Sequence, residues 1–254
     1  MADSDDELSL STSTLDALKS FYAERDARAR EFERLAAAAQ EQREALAAGE
    51  PLSMSVFTED WDKSQFWYSD ETATHYAKQL LDGAGPDMTV VVVSAPSVFV
   101  QLKNLVNKDK AEGKPVPKIL LLEHDNRFAV FKEEFVFYDF MHPIRLPAHL
   151  KGTADRVIVD PPFLSEDCQT KAALTVRWLS KPVVSSEEKD AYRVIVSTGE
   201  RMEKLITGKL YKSLGVKTTD YEIVHAAELG NEFYCYANFA GEKAGWGWRN
   251  EEDR

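Results

Sequence analysis

Val157-Ile158-Val159-Asp160-Pro161-Pro162-Phe163 is a short apolar, β-branched run that stops at a carboxylate, two prolines and an aromatic ring. The run reads as a strand. The acids of Ser165-Glu166-Asp167, just beyond it, suit the N-terminus of a helix. A strand that passes to a helix through such a loop is the repeating unit of an α/β sheet, and the loop lies at the end where these sheets bind ligands. The loop is rich in hydrogen-bond acceptors, because proline has no N–H to donate and an ionised carboxylate only accepts. Such a surface suits an amine whose hydrogens are engaged while its lone pair faces an electrophile. The structural alternative is a rigid strand-to-helix turn, where prolines are common.

The same alternation extends to both sides. Asp70 to Ala84 reads as helix, and Thr89 to Ser94 as a continuous β-branched strand of the kind buried on both faces in a parallel sheet. Helix from Ser97 to Asn107, strand from Ile119 to Leu122, a short helix from Asn126 to Lys132 and strand from Phe135 to Tyr138 follow. After the Arg156 to Val159 strand come a helix from Ser165 to Leu179, a polar loop from Lys181 to Tyr192, strand from Arg193 to Ser197 and helix from Glu200 to Leu214. Two strands without a helix between them, Tyr221 to His225 and Glu232 to Phe239, close the pattern as an edge hairpin. The expectation is a doubly wound, mostly parallel, seven-stranded sheet of Rossmann-like type with right-handed crossovers. Its ligand crevice should lie at the carboxyl ends of the strands, with the loops after Ser94 and Val159 as neighbours.

Residues 1–14 are expected to form an acidic disordered tail, 15–50 a helical extension, 51–240 the main domain and 241–254 a C-terminal tail. The chain has 254 residues, 44% of them hydrophobic, enough for a sizeable single core. No apolar run approaches the roughly 20 residues that span a bilayer, and the acidic start lacks the basic and apolar regions of a signal peptide, so a cytoplasmic protein without a membrane is expected. Cys168 and Cys235 show no metal or disulfide spacing, and no histidine pair has ligand spacing, so no metal is expected. The formal net charge of -12 argues against a nonspecific phosphate-binding surface and favours a basic macromolecular partner. Lys103, Lys108, Lys110, Lys114 and Lys118 cluster, but acids, Gly113 and prolines interrupt them, which reads as a solvated loop.

Three more acids stand at strand ends. Glu123 and Asp125 follow the second strand, where an acid can accept hydrogen bonds from the ribose hydroxyls of a nucleoside cofactor, and Asp139 ends the third, near the place for an adenine amine. With these, the chain resembles the class I methyltransferases whose motif is Asp-Pro-Pro-Phe/Tyr. More narrowly, it resembles the elongation factor 1-alpha lysine N-methyltransferase family, once assigned to DNA adenine methylation. The stretches that carry the resemblance run from Ser64 to Thr72, Val93 to Phe99, Glu123 to Phe131, Glu134 to Phe140, Asp160 to Cys168 and Asn231 to Phe239.

The resemblance implies S-adenosylmethionine as cofactor and a lysine of translation elongation factor 1-alpha as acceptor. It places Asp160, Pro161, Pro162 and Phe163 at the catalytic centre. The cofactor would be held by Ser94, Ala95, Pro96 and Ser97 in the first loop, by Glu123, Asp125 and Asp139, and by Trp67 and Tyr68 as amphipathic walls, with Phe66 assigned to the core. The first loop lacks the glycines usual in the wider class; its small side chains still permit close approach. Adenine methylation in nucleic acid and a catalytically inactive interaction module are the competing readings. The first needs a basic groove, and intact Asp160 to Phe163 counts against the second.

Overall fold

The computed structural model describes residues 51–250 except 58, 60–64, 183–191 and 228–231, together with isolated positions between 16 and 44. The expected tail 1–14, most of the helical extension 15–50 and most of the polar loop after Lys181 lie outside the described residues. The described positions between 16 and 44 are helical.

Seven strands form one sheet: β1 (Thr89–Val93), β2 (Lys118–Glu123), β3 (Phe135–Phe137), β4 (Arg156–Val159), β5 (Arg193–Gly199), β6 (Lys217–Glu222) and β7 (Phe233–Ala237). Their order across the sheet is β3-β2-β1-β4-β5-β7-β6. β7 pairs antiparallel to both β5 and β6, while the pairings among β1 to β5 are parallel. The sequence order reverses between β1 and β4, which makes their carboxyl ends the switch point.

The apolar runs of the central strands follow from burial on both faces. Val90 and Val92 pack with Tyr76 and Leu80 of helix α1 (Asp70–Leu81) and with Val98 and Leu102 of α2 (Pro96–Ala111). Val91 and Val93 face the opposite layer, with Ala172, Val176 and Leu179 of α3 (Glu166–Leu179). Ser165 opens its helix as expected, accepting from Cys168 N, and Ser69 does the same for α1, accepting from Thr72 N, each with two acids in the first turn. The C-terminal carbonyls of α1 are satisfied from the sheet. Arg156 donates to Leu80 O and Asp82 O at 2.9 and 2.7 Å, and Arg193 to Gln79 O at 2.6 Å.

Three elements differ from expectation. The segment after β2 is a 3-10 helix, Asn126–Glu134, broken at Lys132, whose φ of 54° and ψ of -117° interrupt the turn. Residues 200–214 do not form one α-helix: Glu203–Leu205 is a single turn, Ile206–Leu210 is π and Lys212–Leu214 is 3-10, ending on left-handed Gly215. Gly208 and the β-branched pair Ile206-Thr207 weaken the α form there. β6 begins four residues before the expected Tyr221, because its inward positions are polar. Thr218 and Thr219 are buried and donate to Glu203 Oε1 and Cys235 O, whereas Val224 is 54% exposed.

The described part of the C-terminal tail, residues 241–250, packs on the domain. Trp246 is buried against His75, Tyr221 and Phe239 and donates to Phe239 O at 2.8 Å, while a bridge from Trp248 to Thr219 covers the β6 edge.

Candidate active site

The register places the site. Val93 pairs with both Leu122 and Val159, so the next residues, Ser94, Glu123 and Asp160, form one row across the carboxyl ends of β1, β2 and β4. Backbone bonds extend the ladder into the loops, from Ser94 N to Leu122 O, Asp160 N to Val93 O and Tyr138 N to Glu123 O, at 2.9 to 3.0 Å. The row faces a cavity of about 710 Å³, within the range of sites that enclose a cofactor-sized ligand.

Ser94 turns the chain at the switch point with a φ of 55°. This is the left-handed region that glycine enters freely and other residues enter at a cost of order 1 kcal/mol. The loop therefore keeps the backbone path of a glycine-rich turn without a glycine. Pro96 occupies the first turn of α2, and the N-cap, Ala95, offers no side-chain cap. The positive end of the helix is thus left to whatever sits in front of it.

Asp160 keeps partial exposure through the cavity. Its Oδ2 accepts a hydrogen bond from the Tyr68 phenol at 2.5 Å. Burial pushes the carboxyl up; the phenol pulls it down and the nearby Glu123 pushes it up, to about 7. Glu123 is likewise raised to about 7 by burial, although its Oε1 accepts from His124 N and Asp125 N at 2.8 and 3.1 Å. For Asp139, burial is outweighed by the hydrogen bonds from His142 and Met141 N, which hold the carboxyl below the usual carboxylate range. Three acids at one cavity thus exist in two electrostatic states, two poised near neutrality and one firmly ionised.

Of the residues singled out in the sequence, Trp67, Ser94, Pro96, Glu123, Asp139 and Asp160 to Phe163 line the cavity. Ala95, Ser97, Asp125 and Tyr68 stand behind this wall. Ser97 Oγ accepts from Tyr68 N at 3.3 Å. Asp125 caps the following 3-10 turn, with its Oδ2 taken by Arg127 Nε at 2.6 Å and Gln65 Nε2 at 2.9 Å. Arg127 also donates to Gln65 Oε1 at 2.8 Å, so Asp125 fastens the 65–69 strap to β2. The strap's assignments shift accordingly. Phe66, expected in the core, lines the cavity, whereas Trp67 reaches it from the core, where its indole donates to Phe57 O and its ring meets Phe128 edge-on.

Sequence reading missed Phe140, Met141, Arg201, His225 and Phe233, all on the cavity wall. Phe140 meets Phe163 edge-on at 5.5 Å, and adjacency to Asp139 was the available signal. His225 arrives from the β6–β7 connection and Arg201 from the broken helix after β5, with no local motif to announce them, while Phe233 opens β7 inside the family-like stretch Asn231 to Phe239. Burial pulls His225 down to about 4, so a neutral imidazole faces the cavity. Among the described residues no group of His, Cys, Asp and Glu could hold a metal, and no helix is long and apolar enough to cross a membrane.

The chain is similar to several known proteins. A family model described as "Probable N6-adenine methyltransferase" matches residues 59–241. The Saccharomyces cerevisiae protein-lysine N-methyltransferase EFM5 is 39% identical over 235 residues, covering 91% of this chain and 91% of that protein. The Gallus gallus EEF1A lysine methyltransferase 1 is 37% identical over 245 residues, covering 94% of this chain and 98% of that protein. Among solved structures, a branched-chain polyamine synthase mutein from Thermus thermophilus superimposes with a TM-score of 0.50 over 78% of this chain and 61% of its own, at 12% identity. That likeness is one of fold alone.

Proposed function

This chain belongs to the EEF1A lysine methyltransferase 1 family, and on that premise we propose that it methylates a lysine of translation elongation factor 1-alpha, using S-adenosylmethionine, at the Asp160 cavity. The observation that carries the reading is Asp160 itself, a carboxylate set at the switch point of the sheet and opening on a cavity edged by Pro161 to Phe163. The residues present fit the cofactor. Glu123 is an acceptor for ribose hydroxyls, Asp139 is an ionised acceptor for an adenine amine, Phe66 and Trp67 are apolar walls, and the Ser94 turn lets backbone approach closely. When bound, S-adenosylmethionine supplies an electrophilic methyl group on a sulfonium.

The chain's own residues do the positioning. The Asp160 carboxylate and the Pro161 carbonyl accept hydrogen bonds from the lysine amine and orient its lone pair. A lysine amine, ordinarily charged below about pH 10.4, is biased toward its neutral form by burial in this cavity. Phe163 and Phe140 flank the lysine stem; a ring set against the sulfonium cation would contribute roughly 0.5–2 kcal/mol. His225, neutral in its buried place, adds no opposing charge.

The N-terminal segment is proposed as a contact for the protein substrate outside the pocket, with 51–240 as the catalytic unit. The site of action is proposed as the cytoplasm, where translation factors work. Removing residues 1–50 should weaken methylation of the elongation factor and spare cofactor binding. Purified protein, S-adenosylmethionine and unmethylated elongation factor test the whole reading by mass spectrometry. Methyl groups appearing on adenine in nucleic acid, with none on protein, would overturn it in favour of the activity named by the family model.

A further inference from the structure

We propose, building on the lysine methyltransferase reading, that Tyr68 is a positioning residue: its phenol holds one oxygen of Asp160 so that the carboxylate stays ionised with its other oxygen turned to the substrate amine. The Tyr68 hydroxyl lies 2.5 Å from Asp160 Oδ2. Among the described residues no other side chain donates to this carboxylate.

Three separate parts of the fold fix the phenol. Its backbone N donates to Ser97 Oγ in α2, and its main chain bridges to His225 beyond β6. Its ring lies edge-on to Tyr76 of α1 at 5.6 Å and tilted against His225 at 5.1 Å. At 3% exposure the side chain has no freedom to offer its hydrogen elsewhere. Such a short bond to a charged acceptor is among the stronger hydrogen bonds a protein forms.

The chemistry needs this bond. A neutral amine brings hydrogens that require acceptors, and a protonated Asp160 would present a donor instead. Burial favours the protonated form, and Glu123, at the adjacent strand end, favours it further; Tyr68 is the one partner that opposes both. The other groups around Asp160 do not substitute for it. Burial keeps the Cys168 thiol, up at about 11, and the His225 imidazole, down at about 4, both neutral near pH 7. Asp139 and the exposed Arg201 also line the cavity, and the hydrogen bond to Asp160 comes from neither of them. Tyr68 stays a donor throughout, since burial and the neighbouring Asp160 lift its own ionisation well above the usual phenol range.

Tyr68→Phe tests the role, because the ring contacts remain and only the donor is lost. Carbon-13 NMR of labelled aspartate carboxyls, with Asp160 assigned through Asp160→Asn, reads the titration directly in the protein without substrate. The Asp160 midpoint should rise by about one pH unit in Tyr68→Phe. Turnover on the elongation factor should show the same upward shift of its acid limb, falling about fivefold at pH 7 and converging with the native enzyme above pH 9. The cofactor KM should change less than about twofold. An Asp160 midpoint and an acid limb that do not move would overturn the proposal. If Tyr68→Phe does not fold, 3-fluorotyrosine placed at position 68, a stronger donor, should move the midpoint down instead. A native enzyme that transfers no methyl to the elongation factor would sink the functional reading while leaving the titration to judge Tyr68 separately.

Discussion

A side-chain carbon on Gly199, the last residue of β5, would stand 2.8 Å from Cδ1 of Leu164, which lines the cavity beside Phe163. Gly199 has ordinary extended backbone, so its value here is the space it leaves. In Gly199→Ala, Leu164 must swing away and carry the end of the Asp160 loop with it. Because a flexible side chain absorbs the contact, the stability loss should be about 1–2 kcal/mol. The KM for the protein substrate should rise several-fold while cofactor affinity holds; steady-state kinetics and calorimetry check the split.

Glu123 and Asp125 should separate when mutated. Glu123 lines the cavity, so Glu123→Ala is expected to weaken cofactor binding at least about tenfold without destabilising the fold. Asp125 is tied to Arg127 and Gln65, and Asp125→Ala removes the buried carboxylate that both of them donate to. It should lower stability by roughly 2–3 kcal/mol and loosen the strap that carries Phe66 and Tyr68. Chemical denaturation and hydrogen exchange over residues 65–69 distinguish the two.

Asp160 and Glu123 make stability fall as pH rises. Both carboxyls sit near 7 in the fold against about 4 in an unfolded chain, so between these values the folded state holds the extra protons. The cost of ionising them is absent near pH 4 and complete above pH 7. Asp160→Asn should therefore raise the melting temperature of the cofactor-free protein by about 2–4 °C at pH 8 and leave it unchanged near pH 4. A gain of equal size at both pH values would contradict this origin.

The C-terminal tail should matter to folding. Trp246→Ala removes a ring buried among His75, Tyr221 and Phe239, and a cost of about 3–5 kcal/mol is expected. Trp248 is half-exposed on the sheet edge, and Trp248→Ala should cost less than about 1 kcal/mol. Denaturant titrations of the two variants provide the comparison.

The central strands were legible because burial on both faces leaves an unbroken β-branched run, as in Thr89 to Val93, and Ser165 with its following acids marked α3. β6 was misplaced because Thr218 and Thr219 satisfy their hydroxyls inside the sheet, a pairing that hydrophobic periodicity does not register. At the site, the acids at strand ends were visible one by one. What they touch was not. Asp125 points to the strap rather than the cavity, Tyr68 reaches Asp160 across 92 positions of sequence, and Ser94 adopts a glycine-like turn that its own identity conceals.

Mass spectrometry of elongation factor 1-alpha incubated with S-adenosylmethionine and either the native enzyme or Asp160→Ala tests the central claim most directly. The native enzyme should add methyl groups to one specific lysine. Asp160→Ala should do so at least about a hundredfold more slowly while still binding the cofactor, since only a group acting on the amine is removed. Equal methylation by the two proteins, or none by the native enzyme on fully unmethylated factor, would contradict the account.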